Sequence, residues 1–330
     1  MKFPVPPAWW PALALLSPVL VPYLLVKSRR FRAGQKRAAE ENRERLGEAR
    51  ALELPALESV EVTVVVEHRA EDDFRSAAGV SYVLASDRGR LLVDVGFGAQ
   101  DGTFLENWQR LGLAMDDLAG LLITHLHLDH MGGMRAARTN QVLIPPELAP
   151  SRGLTCFAPE ACSSPFFTVK RVEAPRLLPG GFATTGPLAR MLFFLGYTRE
   201  QAVVARLKGK GLVVITGCGH PTIEVILAMA RALSDEPPYA IAGGLHFPVT
   251  RSRLRRWGIE LQCLLGTGKS WYDPIDDEDL TRTIAAINQA GPSRLLLSAH
   301  DTCDHALQRF QQEIDAHTDV LAAGRTYRLT

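Results

Sequence analysis

The sequence has almost no net charge and few cysteines, and each shortage excludes a class of protein. A formal net charge of +1 over 330 residues gives no general reason to expect nucleic-acid binding. The five cysteines are an odd number without the spacing of a disulfide scaffold, which favours a reducing compartment over secretion. We therefore predict that the protein binds no nucleic acid and that its cysteines stay reduced.

Long uncharged runs are also scarce, and the stretch near the N-terminus is the exception. Residues 8–26 carry no charge and have aromatic side chains near both ends. About 20 apolar residues can cross a bilayer core, and aromatic rings suit its two interfaces. We predict a single transmembrane helix in an N-terminal anchor, residues 1–26, with a cleaved signal peptide or an interfacial hairpin as alternatives. Three prolines count against a regular helix: Pro11, Pro18 and Pro22.

Basic residues follow this apolar run at once. Six lysines or arginines lie between residues 27 and 37, whereas only Lys2 and the amino terminus flank the other side. Because positively charged flanks stay in the cytoplasm, we predict a single-pass protein of the inner (cytoplasmic) membrane, with Met1 outside and the domain after the linker facing the cytoplasm. Residues 27–55 are predicted to be a charged, solvated linker, whose basic cluster could contact anionic headgroups.

The rest of the chain, residues 56–330, alternates strand and helix patterns. Runs rich in β-branched or apolar residues predict strands at 60–67, 80–84, 90–93, 121–124 and 294–298. Helical spacing predicts helices at 104–111, after Pro221, and before Gly291. Residues 144–196 are rich in proline, glycine and serine, and we expect them to form loops that cover any functional site of the domain.

The most informative segment is a hexapeptide at residues 125–130, with the sequence His-Leu-His-Leu-Asp-His. His125 and His127 are two apart in extended backbone, so their rings point to one side. Asp129 and His130 come from the following turn and can face the same point. Three imidazoles and a carboxylate repel one another there unless a cation is bound, and zinc and its first-row neighbours accept this ligand mixture. The alternative is a polar strand end whose histidines only satisfy backbone groups.

Histidine is absent between residues 131 and 210, so any further imidazole ligand must come from the second half of the chain. His220, His246 and His300 each lie just beyond a strand pattern, as His125 does. We predict His220 and His300 as metal ligands. His246 is either a ligand or a catalytic group that touches the substrate or polarises an oxyanion. Ordinary roles are predicted for the strand-end His68 and for two histidines in a helical pattern, His305 and His317.

Two stretches carry a family resemblance. The motif H-x-H-x-D-H after a strand resembles the signature of metallo-β-lactamase-fold hydrolases. The segments Gly211-Leu-Val-Val-Ile-Thr-Gly-Cys218-Gly-His220-Pro221 and Tyr239-Ala-Ile-Ala-Gly-Gly-Leu-His246 resemble the dihydropterin-ribosyl-aminobenzene-phosphate synthase-like branch. The resemblance runs from about residue 60 to the C-terminus. It implies an α/β fold, the metallo-β-lactamase αββα sandwich, for a catalytic domain at residues 56–330.

The chain departs from the wider fold at one position. Two-metal members have an aspartate in the context T-G-D that bridges the ions, and this chain has Cys218 there, as the named branch does. Cys218 is either a thiolate ligand or a small buried residue, with His220 taking over the coordination. The segment around His300 resembles the family motif H-C-T-G but differs after the histidine. The resemblance also implies that Asp94 hydrogen-bonds a metal-bound imidazole from behind, with a simple turn aspartate as the alternative.

These expectations combine into a mechanism. A first ion would be held by His125, His127 and His220, and a second by Asp129, His130 and His300. A bound ion lowers the pKa of its water toward neutrality, and Asp129 could orient the nucleophile. We predict a membrane-tethered, metal-dependent hydrolase of an ester, phosphodiester or lactone that uses a metal-bound hydroxide. Its cofactor is predicted to be one or two Zn²⁺, with Mn²⁺ or Fe²⁺ possible, and its substrate a small-molecule or lipid-derived compound.

Two questions stay open at this level. The function could instead be a dihydropterin or phosphoribosyl-type transferase of the same fold, or a lipid-directed phosphodiesterase. The arginines that follow His246 could bind an anionic substrate or the membrane surface, or form a solvated loop without a ligand: Arg251, Arg253, Arg255 and Arg256.

Overall fold

Two β-sheets pack face to face in this protein, and helices cover the outer face of each. The structure, a computed structural model, describes residues 5–330. Hydrophobic side chains of both sheets, such as Val62, Leu91 and Val213, fill the space between them and are fully buried. Neighbouring side chains of the same strands, such as Val214, point outward and pack under the helices. The layers form the αββα sandwich that the resemblance implied.

The first sheet has seven strands in the order β19-β2-β3-β4-β5-β6-β7. Their bounds are β2 Val60–Val66, β3 Ser81–Ser86, β4 Gly89–Val93, β5 Gly120–Leu122, β6 Leu154–Ala158, β7 Phe167–Arg171 and β19 Thr326–Leu329. Strands β4, β5 and β6 run parallel, so their carboxyl ends meet at one edge of the sheet.

The second sheet has the order β18-β17-β14-β13-β12-β9-β8, and β1 pairs with β12. Its strands are β1 Ala56–Leu57, β8 Arg176–Leu177, β9 Ala183–Thr184, β12 Val203–Leu207, β13 Gly211–Ile215, β14 Pro238–Gly243, β17 Arg294–Leu297 and β18 His317–Val320. Strands β13, β14, β17 and β18 are parallel. Two small hairpins lie outside the sheets: β10 Leu188–Leu192 with β11 Gly196–Glu200, and β15 Arg255–Arg256 with β16 Ile259–Glu260.

The helices are α1 Trp10–Glu48, α2 Thr103–Arg110, α3 Leu128–Met131, α4 Gly133–Thr139, α5 Ile223–Leu233, α6 Leu261–Leu265, α7 Asp277–Ala290 and α8 Asp304–Glu313. Helices α5, α7 and α8 cover the second sheet, while α2 and α4 cover the first. Helix α7 shows why the sequence sets such bounds. The Asp276 side chain caps its N-terminus, and Gly291 ends it with a φ of 69°.

The predicted strands and helices are present close to their expected bounds, but two expectations are wrong. His317 begins strand β18 instead of lying in a helix, because the polar and β-branched residues that follow it pair in parallel with β17. Residues 144–196 form several strands, β6 to β10, and not only loops. The hairpin of β10 and β11 in this region contributes directly to the site.

Helix α1 joins the predicted anchor and linker in one continuous element. Within the described residues it is long and apolar enough to cross a membrane, and its apolar window is not buried. Pro18 and Pro22 lie inside the helix without ending it. Leu15 is 83% exposed and Val19 is 76% exposed. Met1 and Lys2, which the orientation prediction uses, lie outside the described residues, and the division into 1–26, 27–55 and 56–330 stays a prediction.

The second half of α1 packs on the domain, which differs from the solvated linker that its charges suggested. Phe31 is buried, and Asn42 bonds both backbone groups of Ala189, donating to the oxygen at 2.9 Å and accepting from the nitrogen at 2.6 Å. Glu41 accepts two hydrogen bonds from Arg199, at 2.8 and 3.0 Å. This part of α1 therefore belongs to the folded domain and supports the β10–β11 hairpin.

Candidate metal centre

The site histidines lie at one edge of the sandwich, where strands from both sheets end. His125 follows β5, His220 follows β13, His246 follows β14 and His300 follows β17. Parallel strands in each sheet bring their carboxyl ends together, which is where open α/β sheets place their ligands. The sequence pattern of a histidine after each strand thus becomes one cluster in space.

Three histidines form the first group of candidate ligands: His125, His127 and His220. One nitrogen from each ring lies within 4.8 Å of the others. His127 Nδ1 is 3.3 Å from His220 Nε2, and the rings of His125 and His127 are 4.4 Å apart between centroids. His125 Nε2 is buried and has no hydrogen-bond partner among the described residues. The group has the size and the free nitrogen atoms that a cation requires.

A second group lies beside the first and centres on Cys218. Its Sγ is 3.1 Å from His130 Nε2 and 3.2 Å from His300 Nε2. Asp129 completes this group, with Oδ2 3.7 Å from His130 Nε2. Cys218 also forms a third possible group with His220 and His246. The sulfur therefore sits between the candidate sites, at the position where the resemblance puts a bridging aspartate.

Four of the imidazoles are held from behind by an oxygen that occupies the ring nitrogen facing away from the cluster. The pairs are His125 Nδ1 with Thr124 Oγ1 at 3.1 Å, His127 Nε2 with Thr198 Oγ1 at 3.3 Å, His130 Nδ1 with Asp94 Oδ2 at 2.7 Å, and His300 Nδ1 with Ser298 Oγ at 2.6 Å. When the outer nitrogen donates a hydrogen bond to this oxygen, it carries the proton of the ring. When a ring is neutral, its inner nitrogen is then left with a lone pair toward the cluster, as metal ligation requires.

Asp94 is the residue behind His130, as the resemblance implied. It is buried, has a φ of 57°, and accepts hydrogen bonds from the backbone nitrogen and the hydroxyl of Thr124, both at 2.7 Å. One carboxylate thus orients both His130 and the hydroxyl that contacts His125. A simple turn aspartate would not need these contacts.

The first group is neutral at pH 7 without a bound ion. Burial, followed by repulsion from neighbouring histidines, holds the pKa values of His125 and His220 well below the usual range. Burial lowers the pKa of His127 to about 4, although Asp129 opposes the shift. Neutral imidazoles are the form that binds metal, so protons compete weakly for these ligands.

The second group holds protons more firmly. Burial disfavours charge on His130, but Asp94 and Asp129 outweigh it and raise its pKa to about 9. Burial raises the pKa of the Cys218 thiol well above its usual value, and nearby carboxylates add to the effect. Burial lowers the pKa of His300 to about 4. A cation entering this group would therefore displace protons from His130 and Cys218.

Sequence reasoning missed Glu200, which fixes the loop that carries Cys218 and His220. Its buried carboxylate accepts hydrogen bonds from the backbone nitrogens of Gly217 at 3.1 Å, Gly219 at 2.8 Å and His220 at 2.8 Å. Burial raises its pKa to about 7. Glu200 is the last residue of β11 and lies well before this loop in the sequence. No local sequence pattern marks Glu200 as a site residue.

Glu67 was also missed, and it positions His300. Its carboxylate accepts hydrogen bonds from the hydroxyls of Tyr82, at 3.0 Å, and Ser298, and Ser298 in turn contacts His300. Burial raises the pKa of Glu67 to about 7. A signal was present in the sequence, because a single carboxylate follows the apolar run that forms the end of β2.

His246 and Asp301 occupy the rim of the cluster. His246 has a φ of 57°, and its Nδ1 lies 3.4 Å from Asp301 Oδ2 without hydrogen-bond geometry. Asp301 Oδ2 is also 3.6 Å from His300 Nε2. Asp301 is a further carboxylate that the sequence analysis did not select. His246 remains open to either of its predicted roles.

Two of the four arginines that follow His246 have partners within the protein. Arg253 donates to the carbonyls of Ala299 at 3.0 Å and Thr302 at 2.8 Å and pairs with Asp304 at 2.9 Å, which fixes the loop after β17. Arg255 pairs with Glu260 at 3.3 Å. Arg253 is therefore committed to contacts within the protein, whereas Arg255 is paired only through Nε among the described residues and its side chain is 62% exposed.

All the predicted site residues meet in this one region: Asp94, His125, His127, Asp129, His130, Cys218, His220, His246 and His300. Their individual roles stay predictions. His305 lies on the exposed face of α8 and pairs with Asp277, while His317 is exposed on β18, so neither belongs to the cluster.

Comparison with known proteins identifies the fold. Residues 77–140 match the family model of the metallo-β-lactamase superfamily. The solved structure of Tm1679, a metal-dependent hydrolase of the β-lactamase superfamily, is similar at 20% identity with a TM-score of 0.56, covering 82% of this chain and 99% of that one. YhfI from Bacillus subtilis, a metallo-β-lactamase fold protein, is similar at 14% identity with a TM-score of 0.50, covering 82% and 100%.

A third solved structure, isothiocyanate hydrolase from Delia radicum gut bacteria, is 13% identical, with a TM-score of 0.44 and coverage of 81% and 98%. No curated protein matches the chain. The family model and the first two structures confirm the predicted fold. The dihydropterin-related branch is not confirmed by them and stays a prediction.

Proposed function

We propose that this chain, which contains a metallo-β-lactamase superfamily domain, hydrolyses an ester, phosphodiester or lactone bond in a small-molecule or lipid-derived substrate, with the help of bound metal. The fold and one structural neighbour, the metal-dependent hydrolase Tm1679, support a metal-dependent hydrolase. The observation that carries the proposal is the set of imidazoles whose outer nitrogens are held by oxygen and whose inner nitrogens converge.

The donor set fits a divalent ion such as Zn²⁺, Mn²⁺ or Fe²⁺. His125 Nε2 is a buried nitrogen without a partner among the described residues. Burying an unpaired polar atom costs free energy, and a bound ion would remove this cost. We assign His125, His127 and His220 to one ion and Asp129, His130 and His300 to a second. An ion so held would lower the pKa of a coordinated water toward neutrality and polarise the bond to be cleaved.

Two residues are proposed to act on substrate and nucleophile directly. Asp129 is only part-buried, so its carboxylate can accept a proton from an attacking water at the mouth of the cluster. His246 has both ring nitrogens without a hydrogen-bond partner in the described part of the chain and faces an adjacent cleft. We therefore favour contact with the substrate for His246 over metal ligation.

Cys218 is proposed as a ligand of the second ion. Its distances of 3.1 and 3.2 Å to the inner nitrogens of His130 and His300 support the ligand alternative over a merely small buried residue. A thiolate there would replace the bridging aspartate of the wider fold with a softer ligand, which suits zinc or iron better than magnesium. The transferase of the related branch stays an alternative prediction that rests on this same cysteine.

An assay of the full chain in detergent tests the proposed function. Protein treated with chelator and then loaded with zinc, manganese or iron should hydrolyse at least one of a set of esters, lactones, phosphodiesters and phospholipids. Chelator should abolish the activity and metal should restore it. Hydrolysis that survives complete metal removal would contradict the proposal. A shortened protein should begin near Lys27 and keep the rest of α1, because Phe31 and Asn42 are buried against the domain.

Membrane attachment through α1 is part of the proposal. The side chains of Leu15, Val19 and Leu25 are exposed on one helix, and basic residues follow them in sequence. Exposed apolar surface of this kind is stabilised by lipid, and adjacent lysines and arginines favour the cytoplasmic side. We propose that α1 holds the catalytic domain at the cytoplasmic face of the inner membrane.

A contact at the start of α1 bears on how the helix lies. Trp9 Nε1 donates to the carbonyl of Trp257, on the β15–β16 hairpin, at 3.2 Å, and Trp257 is 71% exposed. If α1 crosses the bilayer, as the charge asymmetry predicts, this contact must break. If α1 lies along the membrane surface, the contact persists and Trp257 also faces lipid.

Reporter fusions test the placement. A phosphatase fused after Thr330 should be inactive, and a fluorescent protein fused there should be bright, because both arrangements keep the domain in the cytoplasm. An active phosphatase would contradict the proposed location. An Ala8→Cys variant then separates the two arrangements, since an impermeant maleimide labels it from outside the inner membrane only when α1 crosses.

A further inference from the structure

We propose that the cleft beside His220 and His246 binds an anionic group of the substrate, a phosphate or a carboxylate, on Arg190. The cleft is open to solvent on one side and shares these two histidines with the candidate metal centre. The inference rests on the proposed function, because it supplies a feature of the substrate that the metal centre alone does not specify.

Arg190 lacks the partner that a partly buried guanidinium normally has. Its Nε is buried without a hydrogen-bond partner among the described residues, and its Nη2 has only a long contact, 3.5 Å, to the carbonyl of Gly268. Burial lowers the pKa of Arg190, and the nearest carboxylates, Glu224 and Asp279, oppose that shift. Asp279 instead pairs with Lys269 at 2.9 Å. An unpaired charge in such a place is costly and favours an anionic ligand.

A glycine-containing loop fixes Arg190 close to the candidate metal centre. A Cβ at Gly266 would overlap the ring of His246, and a Cβ at Gly268 would overlap the guanidinium of Arg190. Gln35 of helix α1 donates to the carbonyl of Gly268 at 3.1 Å. The loop therefore lies against both side chains at once, and an anion on Arg190 would place the rest of its molecule beside His246.

The remaining walls of the cleft indicate what kind of molecule carries the anion. Thr222 and Thr267 add hydroxyls that can bond to phosphate or carboxylate oxygens, while Ile223, Leu245 and Phe247 supply apolar surface. Arginine with neighbouring hydroxyls suits the planar, multidentate recognition of such anions. The ligand class is thus an organic anion with an apolar portion, whose bond to be cleaved lies toward the histidines.

Phenylphosphonate, an uncleavable organic anion, is the probe that tests this inference. Its dissociation constant should be measured by calorimetry with the zinc-loaded full chain and with variants matched for zinc content. Arg190→Gln should weaken binding by about ten- to a hundredfold, the usual range for charge-assisted hydrogen bonds, and Arg190→Lys should lose less. Arg176→Gln is the matched control, because Arg176 also has a buried Nε without a partner in the described residues but lies outside the cleft.

Equal affinity for wild type and Arg190→Gln, with zinc present in both, would overturn the inference and leave the proposed function intact. Failure of the proposed function would show itself separately, as wild-type protein that binds no metal. Crystals of the wild-type protein with phenylphosphonate decide the matter even if the variants do not fold. Phosphonate oxygens on the guanidinium would support the assignment, and density at the metal alone would overturn it.

Discussion

Replacing both His125 and His127 with alanine should remove metal from the protein and lower turnover by at least about a thousandfold, or about 4 kcal/mol of transition-state stabilisation. Two of the three nitrogens assigned to one ion disappear in this variant, and His220 alone cannot hold it. The Thr124 and Thr198 hydroxyls would lose their contacts with these two rings as well. Elemental analysis should show at least one ion fewer per chain.

Two histidines outside the cluster provide the control for this variant. His305 and His317 lie outside the cluster, so a double alanine substitution there should leave metal content and turnover unchanged. Circular dichroism would establish that the His125/His127 variant is folded. A folded variant that keeps its full metal content and its turnover would exclude these residues from the centre.

Metal binding should separate into two events with different responses to pH. The first group is already neutral, because burial holds the pKa of His127 at about 4, so its affinity should change little between pH 6 and pH 8. The second group must release protons from His130, with a pKa of about 9, and from Cys218, with a raised pKa. Below those pKa values each proton competes with the ion, so affinity should rise about tenfold per pH unit for each proton released.

Calorimetric titrations with zinc at several pH values, in buffers of different ionisation enthalpy, would count these protons. The Cys218→Ala variant should release one proton fewer in the second event and leave the first event unchanged. Two events with no proton release would contradict the assignment of His130 and Cys218 to the second ion. The measurement needs no substrate, so it tests the centre independently of the reaction.

The histidines of the site could be predicted from the sequence because the patterns that mark them are local. Each of His125, His220, His246 and His300 directly follows an apolar strand pattern, and strand ends at one edge of a sheet meet in space. The motif at residues 125–130 also contains four candidate ligands within six consecutive residues. Periodicity and spacing, read without coordinates, are sufficient for such features.

The residues that hold the ligands in place could not be found in the same way. Glu67 contacts Ser298 across 231 positions of sequence, and the pairing exists only once β2 and β17 belong to facing sheets. Glu200 reaches the loop at Gly217 and Gly219 because the β10–β11 hairpin brings it there. The position of Glu67 after an apolar run marks the residue, but the partner of each glutamate is visible only in the tertiary structure.

The interpretation of helix α1 was limited for a related reason. Charges alternate along its second half and suggested a solvated helix, but Glu41 and Asn42 find partners on the β10–β11 hairpin. That hairpin begins within residues 144–196, the proline- and glycine-rich stretch for which the sequence pattern predicts loops. A charge pattern shows that a helix can be exposed to water. It does not show whether another part of the chain packs against that helix.

The central claim is that the imidazoles at the strand ends converge on metal, and anomalous diffraction from crystals of the zinc-loaded protein tests it most directly. We expect one anomalous peak within bonding distance of His125 Nε2, His127 Nδ1 and His220 Nε2. A second peak is expected beside Asp129, His130, Cys218 and His300. A zinc-loaded crystal with no peak at either group, or with zinc bound only elsewhere on the chain, would contradict the claim.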